Sequence, residues 1–206
     1  MDSHNIPDIV VSRLPRYLQT LEHMLQEGKQ ATSSQELGER IGISAAQIRK
    51  DLSHFGGFGK QGTGYSLPFL VEQLNTILRV KQVWEIVIVG SGDLGHAIAR
   101  YQGFANRGFR VAMVFDNDPR KIGTQVGNFT IQDMTNLVSK VRAAGIKIAM
   151  LTVPASVAQA VAEDLVKAGV CAILSYAPIT LNLPPEIQVQ YIDPIIQLQH
   201  MTYYIC

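Results

Sequence analysis

Residues 85–104 read "EIVIVGSGDLGHAIARYQGF", and the reading of this stretch decides the fold. Ile86 to Val89 form a short apolar run of strand length that leads directly into Gly90-x-Gly92-x-x-Gly95. A lone GxGxxG is a weak signal. Here it follows a strand pattern, opens a helix pattern, and precedes a second strand, "RVAMVFD", which ends in Asp116. Asp116 lies 21 residues beyond Gly95, near the spacing at which a carboxylate takes the adenosine ribose hydroxyls of a dinucleotide. The three glycines differ in purpose. Gly90 allows the tight turn, Gly92 admits a pyrophosphate, and Gly95 lets helix pack on strand. The helix N-terminus offers unpaired N–H groups and a positive dipole end to phosphates. A carboxylate at 116 also repels a 2′-phosphate, which favours NAD+ and NADH over their phosphorylated forms.

Further alternation follows downstream. "NFTIQ" precedes a helix over 134–144, "IKIAMLTV" precedes one over 156–168, and "CAILSYA" and "IQVQYID" complete the set. Alternating strands and helices predict an α/β domain with a doubly wound, mostly parallel sheet, the Rossmann arrangement. Ligands bind such sheets at the carboxyl ends of strands, so "TVP" and "YAP" become candidates. The expected cofactor contacts are Gly90, Ser91, Gly92, Asp93, Leu94 and Gly95 of the loop, then Asp116, Asn117, Val153 and Pro154. Cys171 opens an apolar run and is expected in the core. Cys206 is an unpaired thiol that fits a reducing, cytoplasmic setting.

The front eighty residues have a different character. Leu14, Leu18, Leu21 and Leu25 recur at helical spacing up to Gly28. In "TSSQELGERIGISAAQIRKDL", Ser33 with Glu36 and Ser44 with Gln47 each make a capping box, with Gly42 between them. Two short helices joined by a glycine turn predict a helix-turn-helix. Over 40–66, four basic residues (Arg40, Arg49, Lys50, Lys60) face one acid, Asp51, a local excess of three positive charges. The second helix begins with small residues, Ser44 and Ala46, that allow close approach, then Gln47, Arg49 and Lys50. Glutamine pairs with adenine, arginine with guanine, and lysine suits a phosphate.

"FGGFGKQGTGY", residues 55–65, has five glycines in eleven positions. It is no Walker-type loop, since Gln61 stands where Ser or Thr belongs. Phe55, Phe58 and Tyr65 are too large for a linker. A glycine-rich hairpin after a recognition helix fits the wing of a winged helix, with Lys60 and Gln61 at its tip. Next, "LPFLVEQLNTILRVKQVW" predicts an amphipathic helix able to bridge two domains, giving expected boundaries of 1–80, 81–190 and 191–206.

Composition narrows the function. Hydrophobic residues make up 47% and charged residues 17%, with a net charge of +1, as in an ordinary globular protein. The longest apolar runs fall short of the ~20 residues of a membrane span, and residues 1–15 lack a signal-peptide core. A dehydrogenase needs an acid or base beside its nicotinamide. Of His4, His23, His54, His96 and His200, only His96 lies near the glycine loop, on its pyrophosphate side. No Tyr-x-x-x-Lys pair is present. Catalysis is therefore not expected. A small NAD-dependent oxidoreductase with an N-terminal dimerisation module is the alternative, and a CoA-binding domain is a third reading. The apolar C-terminal stretch "DPIIQLQHMTYYIC" either packs on its own sheet or docks on a second subunit.

These segments in this order resemble the Rex family of redox-sensing transcriptional repressors. The carrying stretches are "SSQELGERIGISAAQIRKDLSHFGGFGKQGTGY", "VGSGDLGHAIARYQGF", "VFDNDPRKIG", "TVPA", "LSYAP" and "YIDPIIQLQHMTYYI". The resemblance implies a homodimer with a domain-swapped C-terminal helix. It would bind inverted-repeat operator DNA when NADH is low and dissociate when NADH binds. It further implies that Arg16, Tyr101 and Asp193 form the switch, with Tyr101 also at the cofactor and Arg16 paired with Asp193 between subunits. The sequence departs from the family pattern at Gly57 and Gln61, where the wing usually has Glu and Arg, and at Ser175, where Asn is usual.

Overall fold

The structure is a computed structural model that describes residues 6–58 and 64–205. It divides into two compact units, Met1–Lys81 and Gln82–Cys206.

The first unit holds α1 (Asp8–Val11), α2 (Leu14–Gln26), β1 (Ala31–Thr32), α3 (Ser34–Ile41), α4 (Ala45–Ser53), β2 (Tyr65–Ser66) and α5 (Leu67–Ile77). The leucine spacing of α2 places Leu14, Leu18 and Leu21, with Tyr17, against Leu37, Ile48, Leu52, Leu70 and Leu74 in one core. Each such apolar side chain contributes about 1.5–3 kcal/mol on burial. Ser33 Oγ accepts from Glu36 N at 3.1 Å and Ser44 Oγ from Gln47 N at 3.2 Å, so both expected caps form. The reciprocal halves of the boxes do not. Glu36 turns to Lys29 and Thr32, and Gln47 turns to Asp51. Gly42 closes α3 at φ 72°. Gly38 matters as much, because a Cβ there would sit 2.3 Å from Ile43 O and push α4 off α3.

After the glycine-rich stretch the chain returns as β2, which pairs antiparallel with β1 rather than with residues 55–58. Phe58 is buried, and Phe55 and Tyr65 pack on the same core, so aromatics anchor both ends of the segment. Lys60 and Gln61 lie outside the described residues. The helix expected to bridge two domains ends at Ile77, inside the first unit, and Arg79 follows in the left-handed region at φ 57°.

The second unit is a seven-stranded sheet flanked by helices. Its elements are β3 (Trp84–Val89), α6 (Asp93–Arg100), β4 (Phe109–Asp116), β5 (Gln125–Val126), β6 (Phe129–Asp133), α7 (Leu137–Ala144), β7 (Ile148–Leu151), α8 (Ala155–Lys167), β8 (Ala172–Ser175), β9 (Gln188–Tyr191) and α9 (Pro194–Thr202). Strand order is β5-β6-β4-β3-β7-β8-β9, and every pairing is parallel except the β5–β6 edge. This is the Rossmann order, with the winding reversing beside β3. Alternation along β3 sends Val87 and Val89 into one core and Ile86 and Ile88 into the other. A strand buried on both faces reads as a continuous apolar run, and "IVIV" does.

Two expectations are overturned by the structure. Cys171 is exposed, because the buried run begins only with β8, after the turn that holds it. The helix read as starting at 134 begins at Leu137, after a short 3-10 turn over Met134–Asn136. Helix α9 buries none of its residues: Ile195, Ile196, Leu198 and Met201 are each more than half exposed. Of the two fates open to this segment, packing on its own sheet is not the one observed.

Candidate cofactor cleft and nucleic-acid interface

A cleft of about 760 Å³ opens at the carboxyl ends of the central strands. Gly90 follows β3, Asp116 ends β4 and Asn117 follows it, Thr152 to Pro154 follow β7, and Tyr176 follows β8, all on its wall. The fold itself requires glycine at two of the three positions of the loop. Gly90 holds φ 99°, and a Cβ on it would meet Thr152 O at 2.5 Å. A Cβ on Gly95 would lie 1.9 Å from Gly90 O, so only glycine lets α6 approach β3. A Cβ on Gly92 would meet no protein atom within 4 Å, so the fold itself makes no demand for glycine there. Gly92 is also the N-cap of α6 and lines the cleft. The free space sits where an anion is drawn to the helix end. His96 Nδ1 lies 2.8 Å from Ser91 O and 3.2 Å from Gly92 O, so its ring braces the loop.

Asp116 is nearly buried. Its Oδ2 accepts from Ser91 N and Ser91 Oγ, both at 2.7 Å, and its Oδ1 accepts from Asp118 N at 2.8 Å. Lys121 Nζ stands 3.4 Å from Oδ2. Burial pushes this carboxyl up, but those hydrogen bonds and the lysine together hold it below the usual range. It is ionised at neutral pH, and two carboxylate oxygens offer about four lone-pair sites. Oδ1, with one donor, therefore keeps acceptor capacity, and Asp116 lines the cleft. Asp118 is held at about 2 by Arg120, and its Oδ1 accepts from Arg120 N, which makes it a turn residue.

The structure sorts the other expected contacts. Leu94, Val153 and Pro154 line the cleft; Ser91 is buried and acts on Asp116 rather than facing the cleft; Asp93, on the first turn of α6, is not on the wall. Tyr101 is not on the wall of this cleft. It lies in a separate hollow of about 450 Å³ with Phe104, Phe109 and Phe129, and its ring meets Phe104 edge-on at 5.2 Å. An eight-residue helix, about 12 Å long, separates it from the glycine loop. Tyr176, of the candidate segment "YAP", lines the cleft, as do Lys121, Met134 and Val157, which escaped sequence reading. Lys121 is brought back only by the turn at Asp118, and the apolar residues look like ordinary core positions.

In the first unit, Ser44, Ala46, Arg49 and Lys50 lie along the front of α4, with Ala46, Arg49 and Lys50 turned outward. Arg49 Nη1 donates to Ser34 Oγ at 2.9 Å, tying α4 to the start of α3. The local charge is arranged differently from the expectation. Arg40 is held bidentately by Glu27 at 2.7 and 2.8 Å, so it is no free cation. Asp51 faces inward with its carboxylate fully enclosed. Gln47 is also not a free reader, because its Nε2 donates to Asp51 Oδ1 at 2.6 Å. Arg16 is exposed on α2, and Asp193 caps α9 by accepting from Ile195 N at 2.9 Å. Among the described residues, no group of three or more metal-binding side chains converges, and no helix is long and apolar enough to cross a membrane.

Comparison with known proteins agrees with this division. Residues 5–53 match the family described as a putative DNA-binding protein N-terminus, and residues 81–179 match the CoA binding domain family. The redox-sensing transcriptional repressor Rex of Chloroflexus aggregans is 52% identical over 97% of this chain and 94% of its own length. Rex 1 of Thermotoga maritima is 41% identical over 98% of this chain and 96% of its own. Among solved structures, RSP in complex with beta-NAD+ and operator DNA superimposes with a TM-score of 0.92 at 36% identity, covering 97% of this chain and 92% of that one. RSP in complex with beta-NADH gives 0.89 at 33% identity, covering 98% and 94%. These relatives are repressors over almost the whole chain, which displaces the oxidoreductase alternative. With a helix-turn-helix unit ahead of a Rossmann unit and identities of this size, the chain belongs to the Rex family of redox-sensing transcriptional repressors.

Proposed function

We propose that this protein binds operator DNA when NADH is scarce and releases it when NADH occupies the cleft of the second unit. The observation that carries the reading is that cleft: Gly92 leaves space no protein atom needs, at a helix N-terminus, beside the ionised Asp116. Gly90, Gly92 and the α6 N-terminus hold the pyrophosphate, Asp116 takes ribose hydroxyls with Asn117 beside it, and Leu94, Val153 and Pro154 cover apolar parts of the ligand. The nicotinamide ring is cationic in NAD+ and neutral in NADH. Apolar wall residues, including Met134, Val157 and Val161, favour the neutral form because an unpaired charge there is desolvated. On the DNA side, Arg49 and Lys50 of α4, flanked by Ser44 and Ala46, meet the major groove, and Lys60 and Gln61 extend the contact. Residues 1–80 thus serve DNA, 81–190 the cofactor and 191–206 a second copy of the chain, in a cytoplasmic protein.

The exposed apolar face of α9 supports that dimer, since four large side chains more than half exposed on one short helix call for a partner. Arg16, Tyr101 and Asp193 are the switch residues on this reading, with Arg16 meeting Asp193 of the other copy. NADH drives release only if it binds the released form more tightly. Moving from 99:1 to 1:99 needs about 10⁴-fold differential binding, shared by two sites per dimer. The test is a gel shift on an inverted-repeat duplex titrated with NADH, NAD+ and CoA. Release is expected with NADH at concentrations where NAD+ and CoA leave the complex intact. A complex indifferent to NADH, or one released by CoA alone, would overturn the proposal.

A further inference from the structure

We infer that Asp51, which is buried and cannot itself touch DNA, sets base preference at one operator position by fixing the orientation of Gln47. This rests on the proposal that α4 reads DNA. Asp51 is fully enclosed, and its carboxylate collects four donors: Arg13 Nε at 2.6 Å, Arg13 Nη2 at 2.7 Å, Tyr17 OH at 2.6 Å and Gln47 Nε2 at 2.6 Å. Three of these come from α2 or the residue before it, so the hub also clamps the reading helix to the body of the unit.

The fourth donor is different in kind. Gln47 lies one turn ahead of Asp51, in the first turn of α4, between exposed Ala46 and exposed Arg49. A carboxylate ionised and ringed by donors can only accept, so the amide nitrogen must be the atom facing inward. The same anion repels the amide oxygen, which turns toward the groove side. An untethered glutamine samples many rotamers and presents either end of its amide. A tethered one presents its oxygen first. In the major groove that oxygen finds a donor only on adenine N6 or cytosine N4. Asp51 is thus a positioning residue for readout, and the predicted preference is for adenine or cytosine, whose amino groups face the major groove, over guanine or thymine.

The experiment uses the full-length protein with a randomised duplex pool, followed by competition among the four bases at each enriched position. The wild type is expected to discriminate about 2- to 13-fold at the Gln47 position, the worth of one neutral hydrogen bond. Gln47→Ala flattens that one position and leaves the rest. Asp51→Asn is expected to do the same, and the double variant to lose nothing more, whereas a purely structural role would blunt every position and add to the loss from Gln47→Ala. Gln47→Glu covers the case in which Asp51→Asn does not fold. Its carboxylate can only accept, so it should keep the preference for adenine or cytosine that an outward-facing glutamine oxygen gives. A Gln47→Glu protein whose preferred base differs from that of the wild type overturns the assigned amide orientation. A wild-type pool with no enriched sequence overturns the DNA reading itself, whereas an enriched site indifferent to Gln47→Ala overturns this inference alone.

Discussion

Asp51 and Asp116 are both buried aspartates whose carboxyls sit below the usual range, yet they are built for different ends. For each, burial pushes the carboxyl up and hydrogen-bond donors more than compensate. The donors around Asp51 are side chains of α4 itself and of the start of α2, including both arms of the Arg13 fork, and they enclose it completely. Around Asp116 they are two backbone N–H groups and one hydroxyl, all within or next to the loops it joins, with a partly exposed lysine at longer range. One site is closed by the fold and organises it. The other faces a cleft with acceptor capacity left over. Low carboxyl pKa alone does not separate a structural hub from a ligand site; the source of the donors does.

The largest expected effect tests the closed site. Arg13→Ala leaves a buried carboxylate without its cation and should cost about 3–5 kcal/mol of stability, read from the first urea transition by circular dichroism. A loss below about 1 kcal/mol, the range of an exposed ion pair, would mean that Asp51 reaches water and the contrast fails. Next comes the open site. Asp116→Ala should weaken NADH binding by about 10- to 150-fold, the worth of charge-assisted hydrogen bonds of about 1.5–3 kcal/mol, measured by calorimetric titration. Its unfolding midpoint should fall less than that of Arg13→Ala, because water can enter the cleft and reach the freed donors. Unchanged NADH affinity would remove the ribose role.

The smallest effect is in pH. A carboxyl held low in the folded state stabilises it above the unfolded value, about 3.9, and that stabilisation is lost as pH falls through the folded value. With respect to these groups, stability should therefore hold from neutral pH down to about pH 5 and decline below about pH 4. The decline should be shallower in Arg13→Ala, whose Asp51 no longer has its main partner. An acid limb identical in both proteins would assign the loss to other carboxylates.

Local signals in the chain were enough for much of this. The leucine spacing of α2, the Ser33 and Ser44 caps, the strand–glycine–helix order at Gly90 to Gly95, and the spacing to Asp116 all depend on neighbours within a few residues or on one supersecondary unit. Such signals survive without knowledge of long-range packing. They determined a helix-turn-helix unit, a Rossmann unit and the position of the glycine loop.

What only the tertiary structure decided involves partners distant in sequence. Asp51 reads as one more charge of the local balance until Arg13, 38 residues away, encloses it. Gln47 reads as free until that same carboxylate takes its amide. Arg40 counts toward a basic patch until Glu27 neutralises it. Tyr101 looks close to the cofactor loop in sequence, but α6 carries it to the other end of the helix. In each case the residue type states which bonds a side chain can make, and only the folded chain determines which partner arrives first.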